Sequence, residues 1–263
     1  MSESAPPELP FELRERTLAH FEEHRRAWQR NPALRTSYGL WYRRLRQMLP
    51  APELGPWIEI GSGPGFAREF IPELELTDVV QAPWHSRRMS AESLPVNDAS
   101  VGAIVLFDVL HHVAEPAKFF TEATRALRPG GRIVLCEPFI SPLSRWVYRR
   151  FHPEPVDMSA DPLMVSTGSL TARDPFASNQ GIPSLLFYRR QGQQAFARAF
   201  PKLHIVRRER FAGLSYPASG GFSRAPFLPM ALWEILFAIE NGFPEFAFAL
   251  FGFRALVVLE RRP

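Results

Sequence analysis

The chain has 263 residues, of which 46% are hydrophobic and 22% charged. That is ample apolar material for a core and excludes an intrinsically disordered chain. Thirty-one basic against 27 acidic residues leave a net charge of +4, too slight and too scattered to call for nucleic acid. The basic pairs Arg43-Arg44, Arg149-Arg150, Arg189-Arg190 and Arg207-Arg208 read as solvated surface, the alternative being contact with an anionic membrane or substrate. A lone cysteine, Cys136, excludes a disulfide framework and a Cys-ligated zinc site, and no metal is expected. The first residues carry neither a basic start nor an apolar run, so no signal peptide is predicted. The longest uncharged apolar stretches, 225–233 and 246–253, fall far short of the ~18 residues that a membrane span requires. A cytoplasmic location is expected.

Residues 11–30, rich in Glu, Arg and Leu, predict a helix. In 34–48, Leu34, Tyr38, Trp41, Leu45 and Met48 recur at steps of four and three, one face of a second helix ended by Pro50 and Pro52. Residues 1–50 thus form a helical extension before the main domain, 51–263. From Pro56 the period changes. Trp57–Ile60 is a short strand stopping at a glycine turn, and Pro64–Ile71 is expected as a helix with proline in its first turn. Leu74–Val80 predicts a second strand. Val101–Phe107 is almost continuously apolar, as in a strand buried on both faces. A helix over 115–127 and a strand over 132–137 follow. Strands alternating with helices imply a doubly wound, mainly parallel sheet. One connection is too short: about seven residues separate Val80 from a third strand near 88–91, where a parallel crossover usually takes a dozen or more. An extended loop is expected in place of the usual helix, the alternative being a vestigial third strand. Irregular, proline-rich sequence fills a cap-like insertion over about 138–190. A helix at 191–199, a strand at 203–208, a helix at 230–240 and a last strand at 254–260 complete the chain.

The informative segment is Glu59-Ile60-Gly61-Ser62-Gly63-Pro64-Gly65, where a strand hands over to the next element. Glycines there let backbone approach a ligand, and a helix N-terminus would add free N–H groups. A phosphate-binding P-loop requires Lys-Ser/Thr after its last glycine, and this chain has Phe66-Ala67. A dinucleotide fingerprint places its third glycine one position later than Gly65, which counts against a nicotinamide-dependent oxidoreductase. Glu59, two residues before the first glycine, suits a ligand with a cationic end better than a pyrophosphate.

The order acid-x-Gly-x-Gly-x-Gly, then Leu-Thr-Asp78, then Ile104–Val113 (Ile-Val-Leu-Phe-Asp-Val-Leu-His-His-Val), then Leu127–Leu135 (Leu-Arg-Pro-Gly-Gly-Arg-Ile-Val-Leu) resembles class I S-adenosylmethionine-dependent methyltransferases, most of all the branch acting on small molecules. The resemblance covers roughly 56–137 and implies a Rossmann-like sheet whose last strand is antiparallel. It also implies S-adenosylmethionine as cofactor, with Gly61, Ser62, Gly63 and Gly65 against its methionine and ribose portions and Glu59 near its ammonium end. Asp78 would take the ribose hydroxyls. Ser90-Ala91 stands where the family often has Asp-Ala on the adenine side, Gly102 stands where an Asp often starts the fourth strand, and Phe107 would line the cofactor. These two departures and the shortened crossover motivate an alternative, a non-catalytic binding or assembly protein on the same fold.

Methyl transfer needs alignment and water exclusion, and a base only if the nucleophile starts protonated. His111 is the candidate base for a hydroxyl acceptor; His112, Glu137, His152, Glu154 and Asp157 are further pocket candidates. Acceptor specificity is expected in the N-terminal helices, 138–185 and 211–252. The last region, with residue 253, holds nine phenylalanines (211, 222, 227, 237, 243, 246, 248, 251, 253). They form either the core of a cap or a greasy mouth for a lipid, quinone or polyketide-like acceptor, beside a membrane surface in the second case; the acceptor is expected to be small and apolar or aromatic.

Overall fold

The computed structural model describes residues 8–163 and 177–263. Residues 1–7 and 164–176, the latter a part of the expected 138–190 insertion, lie outside the described residues. Two long helices come first, α1 (Phe11–Arg30) and α2 (Pro32–Met48). Between them Asn31 caps α2 by accepting from the Leu34 amide at 3.1 Å, and Pro32 opens the helix where a missing N–H costs nothing.

The sheet contains β1 (Trp57–Ile60), β2 (Leu74–Asp78), β3 (Arg87–Arg88), β4 (Val101–Phe107), β5 (Leu127–Pro138), β6 (Leu203–Phe211) and β7 (Arg254–Arg261). Their order is β3-β2-β1-β4-β5-β7-β6. β1 to β5 pair in parallel, and β7 runs antiparallel between β5 and β6. The expected doubly wound sheet with an antiparallel last strand is the observed one.

Alternation along the strands sends side chains to two cores. Ile58, Ile60, Ile104, Leu106, Ile133 and Leu135 pack against α3 (Pro116–Ala126), α5 (Ile182–Tyr188) and α6 (Arg190–Ala199) through Phe119, Phe120, Phe187 and Phe196. Trp57, Leu74, Leu76, Ala103, Val105 and Val134 face the other way, onto Leu34, Trp41, Tyr42 and Leu45 of α2. The predicted stripe of α2 is therefore buried against the sheet itself, and the helices of the extension share the main core. The insertion also has regular structure where irregular sequence was expected: α4 (Pro142–Phe151), begun by a Ser141–Ser144 capping box, and α5.

Two expectations need correction. Pro64–Ile71 does not form an α-helix; only a single 3-10 turn, Phe66–Glu69, follows the glycines. The segment has too little length between left-handed Gly65 and Pro72 to propagate one, and α2 covers the face that helix would have covered. The third strand is two residues long, Arg87–Arg88, and not 88–91. It is reached by an extended loop over 79–86, as the short spacing predicted.

That loop replaces the missing helix as a brace. The Trp84 indole N–H donates to the Gly63 carbonyl at 2.7 Å, and His85 Nε2 lies 2.8 Å from the same oxygen. Gly61 has φ +68°, and a Cβ there would lie 2.6 Å from a Val109 methyl. Gly61→Ala is therefore expected to lower stability by about 2 kcal/mol or more, from backbone strain together with overlap. Denaturation of the single variant and of the Gly61→Ala, Val109→Ala pair checks this. The second substitution should recover the overlap part only.

Three short helices complete the chain: α7 (Ser215–Ala218), α8 (Met230–Asn241) and α9 (Phe248–Phe251). Of the nine phenylalanines, Phe211, Phe248 and Phe253 are buried while Phe227, Phe243 and Phe246 are exposed, so the region is neither purely a cap core nor purely a mouth. No helix among the described residues is long and apolar enough to cross a membrane.

Candidate functional site

In a parallel sheet the carboxyl ends of the strands, where chain order reverses, leave a crevice. Here it is a cavity of about 550 Å³. Residues from β1, β2, β4, the segment after β3 and the end of β5 meet there with Arg254. That last residue reaches the same edge because β7 is antiparallel and begins where the others end. Glu59, Gly61, Ser62, Gly63, Asp78, Ser90, Ala91, Phe107 and His111 all line the cavity. Gly65 does not; the place of its missing side chain is taken by the Trp84 ring, 2.6 Å from where a Cβ would stand.

The Glu59 carboxylate is 2% exposed, and its Oε2 has no hydrogen-bond partner. Burial, only partly opposed by Ser62 and reinforced by the Asp78 charge, pushes this carboxyl up to about 8. A buried acid with one oxygen unpartnered in a cavity wall suits a cationic donor. Asp78 accepts the Gly63 amide at 2.9 Å and the Val80 amide at 3.0 Å, one on each oxygen. Each oxygen keeps a second lone-pair direction for a ligand hydroxyl. Ser62 braces the two strands, its hydroxyl accepting the Thr77 amide at 3.1 Å.

Next to Ser90 the structure places an acid that motif matching passed over. The Ser90 hydroxyl accepts the Glu92 amide at 3.2 Å. The Glu92 side chain, 4% exposed, accepts the Glu115 amide through Oε1 at 2.9 Å and leaves Oε2 unpartnered in the same cavity wall. Gly102 lies at the opposite end of β4. A Cβ there would stand 2.8 Å from the Gly55 carbonyl oxygen, so backbone packing requires glycine. Its departure from the family pattern has a structural cause remote from the cavity.

His111 projects between two carboxylates, with Nδ1 at 2.6 Å from Glu137 and Nε2 at 3.3 Å from Glu154. Glu137 is itself fixed by the Val109 and Leu110 amides at 2.9 and 2.7 Å. Burial works against the imidazolium, but Glu137 and Glu154 outweigh it and carry His111 up to about 10. Burial likewise opposes the Glu154 charge; the His111 ring, with His112 and His152, prevails and holds that carboxyl below its usual range. In this arrangement His111 has no free lone pair with which to take an acceptor's proton. Its ligand atoms and those of His112 and Glu154 lie within 4.8 Å of one another, as do those of Asp108, His111 and Glu137, close enough to share a cation. His152 and Glu154 line the cavity, whereas Asp157 is exposed and holds its own loop through Ser159. Five of the seven histidines face this one space, His20 and His24 of α1 joining His111, His112 and His152. Burial lowers His24 to about 3 and His112 to about 4, so both are neutral at pH 7.

Periodicity could not single out Arg254. It is 2% exposed and makes a two-pronged ion pair with Asp108, both contacts at 2.5 Å, under the rings of Trp41, Phe107 and Tyr216. Asp108 sits at φ +58°, an uncommon conformation for a residue other than glycine and one that clusters at functional sites.

Comparison with known proteins bears on the family and the fold. The methyltransferase domain family matches residues 58–135. A demethylmenaquinone methyltransferase of Clavibacter sepedonicus is 47% identical over 47 residues, 18% of this chain and 19% of that protein. A probable S-adenosylmethionine-dependent methyltransferase of Mycolicibacterium smegmatis is 40% identical over 52 residues, 20% of each chain. The aligned segments thus span about a fifth of these relatives' length. Among solved structures, the complex between the Haloferax volcanii Trm112 methyltransferase activator and the putative methyltransferase contains a chain similar in fold. Its TM-score is 0.52 at 14% identity, covering 94% of this chain and 98% of that one. Residues 58–135, which carry the glycine turn and its two flanking acids, thus match the methyltransferase domain family, and the strand order gives the chain a fold shared with that solved structure.

Proposed function

We propose that this protein transfers a methyl group from S-adenosylmethionine to a small apolar or aromatic acceptor bound in the same cavity. The observation that carries the proposal is Glu59: a buried, unpartnered carboxylate oxygen beside the glycine turn, with Asp78 on the neighbouring strand. That donor set fits the cofactor, with Glu59 toward its ammonium group and Asp78 toward its ribose hydroxyls. Ser90 is a weak acceptor for the adenine amino group, and Glu92, with a free oxygen two residues on, supplies the carboxylate that Ser90 lacks.

The cofactor supplies a methyl group on a sulfonium, and the sulfur leaves as a neutral thioether. The protein's task is to align and to exclude water. The Phe107 ring lies 5.1 Å from Tyr38 and 4.6 Å from Tyr42, and Tyr38 lies 5.4 Å from Phe222, so apolar ring surface walls the cavity. Such a wall favours an apolar acceptor and, through its ring faces, a cation. The Glu137–His111–Glu154 chain positions the segment that closes the far side, where the Asn179 amide donates to the His111 carbonyl at 2.9 Å.

Calorimetry with S-adenosylmethionine and its demethylated product tests the reading. Asp78→Asn and Glu92→Gln should each weaken binding about tenfold or more, as loss of a charged hydrogen-bond partner does (~1.5–3 kcal/mol). Unchanged affinity in a folded variant removes that residue from the cofactor. Failure of the wild-type protein to bind either compound at millimolar concentration would overturn the proposal.

A further inference from the structure

Helix α8 turns an apolar face to solvent. Trp233 and Glu240 are its buried residues: the Trp233 indole donates to the Ser215 carbonyl at 2.8 Å, and the Glu240 carboxylate accepts the Ser215 amide at 3.0 Å. Leu232, Ile235 and Ile239, spaced three and four apart, stand 53–57% exposed on the other side. The apolar surface continues beyond α8. The Phe243 ring meets Phe251 of α9 at 5.6 Å, and Phe246 and Leu250 are 71% and 67% exposed. Helix α9 packs on α4, whose Trp146 and Phe151 are both largely exposed and in edge contact at 5.7 Å. Single exposed apolar residues are ordinary; a run of them from α8 through the segment after it to α9 and the helix it packs on, α4, marks an interaction surface.

Charge indicates what covers it. Helix α4 carries Arg145, Arg149 and Arg150 and no acid, and among the described residues no ion pair engages any of the three. Arg149 and Arg150 follow Trp146 by three and four residues and so share its face. Arginines beside tryptophan and phenylalanine, next to a broad aliphatic face, are the makings of an interfacial helix on an anionic bilayer. A two-fold contact between copies would instead bring a second set of the same unneutralised arginines to this surface. Tyr148, on the buried side of α4, lines the cavity, so α4 stands between this surface and that space.

We propose that the face formed by α4, α8 and α9 lies on an anionic phospholipid surface, and that the acceptor is an apolar molecule resident in that bilayer. The statement about the acceptor rests on the methyl-transfer reading; the surface contact does not. Flotation of the full chain with phosphatidylcholine vesicles, with and without phosphatidylglycerol, tests it, with product calorimetry in parallel. The protein is expected to float with the anionic vesicles. Partition should fall about 25-fold in Arg149→Gln, Arg150→Gln, at about fivefold per arginine, and about tenfold or more in Ile235→Ser, Ile239→Ser, with affinity for the demethylated product unchanged in both. Absence of wild-type flotation would overturn the proposal, as would a dimer in sedimentation that Ile235→Ser, Ile239→Ser dissociates. Flotation by a protein that binds neither cofactor nor product would support the surface and remove only the methyl-transfer reading.

Discussion

Glu59→Gln should make the protein more stable in alkaline solution while depriving it of its cofactor. The Glu59 carboxyl titrates near 8 in the folded chain against an ordinary value of 4.5. Between those values the folded state holds a proton that the unfolded state has released. Wild-type stability therefore falls as pH rises above about 4.5 and levels off beyond about 8. A gap of that size corresponds to on the order of 4–5 kcal/mol. Glutamine keeps the neutral shape and never ionises, so the variant lacks this loss. Urea denaturation at pH 5, 7 and 9 should show little difference at the first value and a variant advantage of several kcal/mol at the last. Parallel curves would mean that Glu59 is not the buried acid described above. Binding should move oppositely: removing the acceptor for a cationic group is expected to weaken S-adenosylmethionine about tenfold to a hundredfold. Such opposition between stability and binding is expected where a site buries an acid whose charge only a ligand can satisfy.

The second large effect belongs to Arg254. Arg254→Met removes a guanidinium that holds both oxygens of Asp108 and lies beneath three aromatic rings. Breaking a buried pair from one side leaves the partner charge stranded. Asp108 keeps some exposure, at 29% of its side chain, which moderates the cost. A loss of about 3 kcal/mol is expected in chemical denaturation. Asp108→Asn with Arg254→Met should cost clearly less than the sum of the two single changes, because the neutral amide no longer needs a counter-charge. Additive losses would show that the two side chains act independently.

The parts of the fold that could be read in advance are those set by local pattern. Strand β4 announced itself because seven successive apolar residues fit only a strand covered on both faces. The face of α2 followed from its step of three and four. The loop that reaches β3 followed from chain length alone. The helix expected over 64–71 was misread for a reason that pattern cannot reveal: Pro64 and the apolar spacing after it satisfy helical rules, but α2, from elsewhere in the chain, already occupies that side of the sheet. The site shows the same division. Glu59 and Asp78 were legible because their spacing from the glycines is short and fixed by the β1–β2 unit. Arg254 reaches Asp108 across 146 residues, and no local signal reports that. Glu92 was in view beside Ser90-Ala91, and a carboxylate so close to a missing one was the available clue. His111 was legible in position, since it follows β4 directly. Its two carboxylate neighbours come from β5 and from the segment after α4, and they decide whether the ring can accept a proton.

Strand β7 enters the sheet between two strands made earlier, β5 and β6. During synthesis those two must wait apart, or pair wrongly, until residues 254–261 emerge from the ribosome. The same late segment brings the cation that neutralises Asp108 at the cavity. Ligand competence should therefore arrive abruptly, with the seating of β7. A nascent chain stalled before residue 254 would expose two raw sheet edges and become a client for chaperones.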